Sequence, residues 1–402
     1  MRQAEISGNP INSLYLPARL PLSSTSMRLR ILIIPDKFKG TLTARAAAEA
    51  IAGGWRQERP QDHLDLLPMS DGGDGFGEVI RALLGARRRR IRTVDAAHRP
   101  CTAAWWWEPR TRTALIESAN VIGLAMLPPR QFHPFQLDTR GLGAVVHAAA
   151  QQGAARCLIG IGGTATNDGG FGLARALGWQ FHDRHGRLIE RWVDLWRLDF
   201  LRPPRRRRWF TRKRVATDVQ NPLLGPRGAS RVYGPQKGLR PQDFLLAERC
   251  LGRLARVVRQ QFGHDLAREP GAGAGGGLGF GLRAFLGAEL QPGFDLFARH
   301  ASLQRRLRAA DLIITGEGAI DRSSLMGKGV GQIAQHCRDL NLPCIGLGGR
   351  VRVGPEARRL FTQIYALTDL ASLRQAQAQP AFWLAKLARQ SARSVSLRPL
   401  RS

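Results

Sequence analysis

Residues 157–178, CLIGIGGTATNDGGFGLARALG, constrain this chain more than any other stretch. The apolar run 157–161 has the length of a buried strand. Gly162 and Gly163 break it. Thr164, Thr166, Asn167 and Asp168 follow, and Gly169 and Gly170 lead into the amphipathic run 171–177. The order is strand, glycine-rich turn, helix start. Glycine lets a backbone take positive φ and bring bare amides close to a ligand. A helix N-terminus adds unpaired N–H groups and a positive dipole end that favour an anion. A plain turn with an N-cap needs only one Asn or Asp and one Gly. Four polar residues set among four glycines exceed that need, so a functional loop is the favoured reading.

The same grammar recurs along the chain. RLRILIIP (28–35) reads as a buried parallel strand. Asp36 and Lys39 stand at its carboxyl end, where open α/β sheets bind ligands. An Ala-rich helix, 44–55, follows with Thr41 or Thr43 as its cap. A short strand, 64–69, runs into SDGGDGFG. Its Asp71 and Asp74 can both face a Mg²⁺ or a substrate hydroxyl. Strand 215–219 carries Asp218 and is followed closely by Asn221; Tyr233, Gln236 and Lys237 close the Pro/Gly loop beyond. Strand 311–315 ends in GEGAIDRSSLMGKGVG, which gathers Glu317, Asp321 and Lys328 before a helix from 330. Strands at 343–349 and 361–368 and a helix at 379–393 complete the chain.

The middle differs. IRTVDA, TAAWWWEP and RTALIESA are short strands with turns between them, as in an antiparallel meander. Strand alternation predicts that Trp105, Trp106 and Trp107 divide between a core and an exposed face. A helix at 139–154, a hairpin at 181–189 and an irregular charged stretch at 190–212 are expected next. Strand–helix alternation at both chain ends, around a different middle, predicts an α/β domain interrupted by an insertion that begins near residue 85.

Several readings are excluded or disfavoured. GAGAGGGLGFG (271–281) contains GxGxxG, but no apolar strand precedes it, so it is not a dinucleotide fingerprint. Close helix packing, or backbone approach to a ligand, explains its small residues better. Gly327 and Lys328 do not form a Walker A loop, because Arg322 stands where its first glycine is required and no Ser or Thr follows the lysine. His182 and His185 fit a solvated turn better than a zinc pair. Five scattered cysteines show neither CxxC spacing nor a disulfide framework, which fits a reduced, cytoplasmic setting. No apolar run reaches the ~18 residues of a membrane span. The net charge of +30 raises nucleic-acid binding, with the runs 87–90 and 205–208 as candidates. The excess is spread along the whole chain, so a solvated, arginine-rich surface is favoured and nucleic acid disfavoured. Such a surface still concentrates anionic substrates. The six lysines are the exception: Lys37, Lys39, Lys237 and Lys328 lie in polar, glycine-containing segments that suit a phosphate. Residues 1–26 read as a disordered tail or an over-extended translation start.

Taken together, IIPDKFKGTLTA, PMSDGGDGF, IGIGGTATNDGGFGLARALG, ATDVQNPLLGPRGAS with VYGPQKG, GAGAGGGLGFGLRAFLGAEL and ITGEGAIDRSSLMGKG resemble the type-1 glycerate kinase family, in family order. The resemblance implies two α/β domains. One is flavodoxin-like, with a parallel sheet built from 27–84 plus 288–402; the other is an inserted mixed-sheet domain, 85–287. It implies ATP-dependent phosphorylation of D-glycerate, usually giving 2-phosphoglycerate, with ATP and Mg²⁺ as the cofactors. Within that scheme the loop 162–170 (Gly162, Gly163, Thr164, Thr166, Asn167, Gly169) takes phosphates, with Glu317, Asp321 and Lys328. Asp71, Asp74, Asp168 and Asp218 are the candidates for metal or base, with Asp168 the first choice for the base, so that Asp168→Asn should abolish turnover with folding intact. Asp218 and Asp71 are expected at the metal. Lys39 and an arginine hold the substrate carboxylate, with Asp36, Asp71, Asp74 and Asn221 around the substrate. Lys37, Ala319, Arg322 and Met326 depart from the residues the family commonly has there. A kinase for a related hydroxy acid, or a degenerate paralogue, is the alternative reading.

Overall fold

The computed structural model describes residues 28–73, 75–205, 209–325 and 329–395. Asp74, Met326, Lys328 and the arginines 206–208 lie outside the described residues, as does the stretch 1–26.

Thirteen strands are described: β1 (Arg30–Pro35), β2 (His63–Leu66), β3 (Arg87–Val94), β4 (Pro100–Glu108), β5 (Thr113–Glu117), β6 (Arg156–Gly160), β7 (Gln180–Asp183), β8 (Leu198–Arg202), β9 (Arg212–Thr217), β10 (Glu289–Pro292), β11 (Leu312–Asp321), β12 (Cys344–Arg352) and β13 (Gln363–Ala366). Five of them form a parallel sheet in the order β13-β12-β11-β1-β2. Numbered by sequence within that sheet, this is the flavodoxin-like order. Ile31, Leu32, Ile33 and Ile34 are at most 1% exposed, because helices cover both faces. Burial on both faces is why the strand reads as an unbroken apolar run rather than an alternation. The helix Ala44–Arg56 packs against Pro380–Arg393 on one of those faces. Thr43, not Thr41, caps the first of these helices by accepting from the Ala46 N–H.

The second sheet has the order β10-β9-β6-β5-β4-β3. The meander expected from sequence is its antiparallel edge, β3-β4-β5. The remaining pairs are parallel. Strand β10 belongs here, paired with β9, although a boundary at 287/288 assigns it to the other sheet. The stretch 190–212 is not irregular throughout: β8 forms within it and pairs with β7 in a separate ribbon. His182 is buried and stacked on Phe200, so it is a packed ring rather than a solvated turn residue.

The three tryptophans show why alternation alone misleads. Trp105 and Trp107 enter the core of the second sheet. Trp106 faces the other way, as alternation requires, yet it is only 1% exposed. That opposite face packs against the first sheet, in one shared core with Leu32, Ile34, Phe76, Leu115 and Leu158. The helix Phe76–Leu84 lies at this junction; a Cβ at Gly77 would come within 2.5 Å of the Trp106 ring.

Candidate active site

A cavity of about 1220 Å³ opens between the two sheets. One wall is the carboxyl edge of the parallel sheet. Asp36, Lys37 and Lys39 follow β1, Asp71 follows β2, and Glu317 and Asp321 lie on β11. The strand order reverses between β1 and β11, which is where doubly wound sheets open a ligand crevice. The facing wall belongs to the second sheet: Glu117 ends β5, Gly162, Gly163 and Thr164 follow β6, and Asp218 follows β9.

Opposite charges converge where the walls meet. A Cβ placed on Gly73 would lie 3.3 Å from Asp71 Oδ1, 3.4 Å from Asp218 Oδ2 and 3.4 Å from Lys37 Nζ. Glycine leaves this space open, and the groups around it are two carboxylates, which accept hydrogen bonds, and one ammonium, which donates them. Asp71 Oδ1 also accepts from the Gly73 N–H at 3.2 Å. Asp36 accepts from the Lys37 N–H at 2.7 Å. Its carboxyl is pushed up to about 7, first by burial and then by the neighbouring Asp71; Lys37 opposes this. Two hard carboxylate oxygens suit Mg²⁺, which keeps several waters and is bound through one or two carboxylates plus substrate phosphates. The Asp71–Asp218 pair fits that ion.

The loop 161–170 divides between two roles. Gly162, Gly163 and Thr164 line the cavity. Thr166, Asn167 and Asp168 are buried beneath it with 0% exposure and do not line it. Asn167 donates to Ser230 Oγ at 2.9 Å. Asp168 accepts from Thr139 N, Thr139 Oγ1, Gly170 N and Gly172 N, at 2.8–3.2 Å. Burial pushes its carboxyl up to about 6, against those hydrogen bonds. All four donors fix two helix starts, Arg140–Gln151 and Phe171–Ala176, to one another. A carboxylate so engaged, and closed off from the cavity, does not fit the role of a base that meets substrate.

The glycines of 271–281 explain the closure. Gly275, Gly276 and Gly277 all have positive φ. A Cβ on Gly276 would stand 1.9 Å from Thr166 O, and one on Gly277 2.8 Å from Gly169 Cα. This run is therefore a backbone lid on the loop. Gly169 and Asn221 also stay off the cavity lining. Asn221 donates to Arg227 O and accepts from the Tyr233 hydroxyl at 2.6 Å; it is Tyr233 that faces the cavity.

Cavity residues to which the sequence-based scheme gave no site role include Lys37, Lys237 and Glu117. Lys237 is 7% exposed and donates to Thr164 Oγ1 at 3.3 Å and Thr166 O at 2.7 Å. Burial pulls its ammonium down to about 7, with Asp168 opposing. Its rarity among so many arginines was the available signal. Glu117, 5% exposed, accepts from the Gly75 N–H at 2.6 Å. Nothing in RTALIESA distinguishes it from an ordinary strand residue.

The fold and the cleft define a two-sheet α/β protein whose cavity sets carboxylates and lysines of one wall against a glycine-rich loop of the other. The family model described as "Glycerate kinase family" matches residues 31–396. A glycerate kinase of Halalkalibacterium halodurans is 36% identical over 332 residues, covering 81% of this chain and 87% of its own length. The glycerate 2-kinase of Escherichia coli K12 is 36% identical over 330 residues, covering 80% and 85%. The crystal structure of a protein assigned as glycerate kinase 2 from Salmonella typhimurium LT2 superposes with a TM-score of 0.75 at 32% identity, covering 92% of this chain and 98% of that one. The chain belongs to the glycerate kinase family. It is accordingly a member of a kinase family that acts on small molecules. No helix among the described residues is long and apolar enough to cross a membrane.

Proposed function

We propose that this protein transfers the terminal phosphoryl group of ATP to the C2 hydroxyl of D-glycerate, giving 2-phosphoglycerate. The observation that carries this reading is the meeting of Asp36, Asp71, Asp218 and Lys37 at the junction of the two walls. Phosphoryl transfer needs positioning and charge neutralisation more than covalent chemistry. Mg²⁺, held by Asp71 and Asp218, would neutralise phosphate charge. Asp36 stands at the topological switch point and takes the proton of the substrate hydroxyl, the work of a general base. This moves the base from Asp168, whose oxygens are occupied elsewhere. Lys39 lines the same end and pairs with the glycerate carboxylate. The backbone of Gly162 and Gly163, with Thr164, faces this end from the opposite wall and offers hydrogen bonds to phosphate oxygens.

The test is turnover of D-glycerate with ATP and Mg²⁺, followed by ³¹P NMR without proton decoupling. Phosphate on C2 couples to a single carbon-bound proton and appears as a doublet. A triplet would place it on C3 and overturn the regiochemistry alone. Absence of turnover, with ATP still bound, would move the protein to a related hydroxy acid or to a degenerate paralogue.

A further inference from the structure

The cavity between the sheets is not chemically uniform. Along the carboxyl edge of the parallel sheet its lining changes from charged to apolar. At β1 and β2 stand Asp36, Lys37, Lys39 and Asp71; at β12 stands Arg350; beyond β13 stand Leu367, Leu373, Ala376 and Pro380, with a single polar residue, Gln377, among them. Leu367 and Ala376 pack into the core beneath, at 3% and 6% exposure. Leu373 does not: it is 41% exposed at the cavity rim, in the short helix Leu373–Ala378 that Ser372 caps. Glycerate carries an oxygen on every carbon and has no extended apolar face to lay on such a wall. The flat face of a nucleobase does, because removing apolar surface from water is favourable.

The dimensions agree. From β1 to β13 there are three inter-strand steps. At about 4.8 Å each, the apolar lobe lies about 14 Å from the carboxylates, the scale of a nucleoside triphosphate from base to terminal phosphate. We infer that the nucleoside of ATP docks in the lobe formed by Leu367, Leu373, Ala376 and Pro380, with its phosphates running past Arg350 and β11 towards Asp36 and Asp71. The inference rests on the kinase reading and deepens it. It assigns the nucleotide a site on the first sheet, with the loop after β6 left to face only the transferred end.

The test measures MgADP binding by calorimetry, independently of turnover, for the wild type, Leu373→Glu and Leu373→Met. The exposed position keeps either variant folded, which circular dichroism checks. Leu373→Glu should weaken MgADP at least tenfold, Leu373→Met less than twofold, and the KM for glycerate should move less than twofold in both. Wild-type affinity in Leu373→Glu, or no adenine-nucleotide binding by the wild type, would overturn the subsite. The two readings fail separately. A Leu373-dependent MgADP site without glycerate turnover keeps the subsite and removes the glycerate assignment. Turnover with MgADP affinity indifferent to Leu373→Glu does the reverse.

Discussion

Two glycine-rich loops with the same sequence grammar end up facing opposite ways. After β2, the loop containing Asp71, Gly72 and Gly73 is open to the cavity. After β6, the loop containing Asn167, Asp168 and Gly169 is shut beneath it. Both follow a strand, both carry carboxylates among glycines, and both lead into a helix. The difference comes from what covers them. The loop after β6 lies under a second glycine run, Gly275–Gly276–Gly277, whose backbone approaches too closely for any side chain. Asn167 Nδ2 therefore bonds to Ser230 and Asp168 to Thr139, Gly170 and Gly172, while Thr166 Oγ1 and Asn167 Oδ1 are buried with no hydrogen-bond partner among the described residues. The loop after β2 borders a cleft, and its acid stands with Lys37 of the same wall and Asp218 of the facing wall around one space. A polar, glycine-rich loop thus announces hydrogen bonding, but not whether the partner is a ligand or the fold.

This contrast can be broken by substitution. The largest expected effect is at the open wall. Asp36→Asn should lower kcat about 10²–10⁴-fold, the range of a lost general base, with circular dichroism unchanged. A loss under tenfold would put the proton acceptor elsewhere.

Asp168→Ala should act through stability instead. It strands buried donors, and each costs about 1–3 kcal/mol, so urea unfolding should show a loss of at least about 3 kcal/mol. A variant as stable as the wild type but without turnover would return Asp168 to the chemistry and erase the distinction between the loops.

The smallest effect concerns Lys237, which joins the two environments by donating to Thr164 and Thr166. Its folded-state pKa, about 7, lies below the ordinary lysine value of 10.5. Between those values the unfolded chain binds the extra proton. Its contribution to stability therefore rises with pH across that window, by no more than about 1.4 kcal/mol per pH unit, and is flat below it. Lys237→Met should remove this rise. Urea midpoints for both proteins at about pH 7 and about pH 8.5 check it, because the difference between them cancels the other titrating groups. Parallel pH dependence in the two proteins would mean that the ammonium is not held in a desolvated site.

Much of the architecture was legible in the sequence because it depends on local patterns. Runs such as ILII set the buried strands, and the position of Asp36, Asp71 and Asp218 just after or near the end of a strand placed them at a carboxyl edge; β11 instead runs on through Glu317 to Asp321. The change from alternating strands and helices to a meander marked the antiparallel edge β3-β4-β5, since periodicity is a property of a few consecutive residues. What the sequence could not decide was whatever depends on a distant surface. Trp106 is buried because the second sheet packs its other face on the first. Strand β10 joins β9 because its hydrogen-bond partners lie there, whatever its neighbours in the chain do. Asp168 is closed off by glycines more than a hundred residues away, and Glu117 at the end of β5 finds its partner in the Gly75 N–H, which comes from the other sheet's loop. Local sequence determined which groups could do chemistry; the packing of one sheet on the other decided which of them meet a ligand, because burial and orientation are set by surfaces that come together only when the chain has folded.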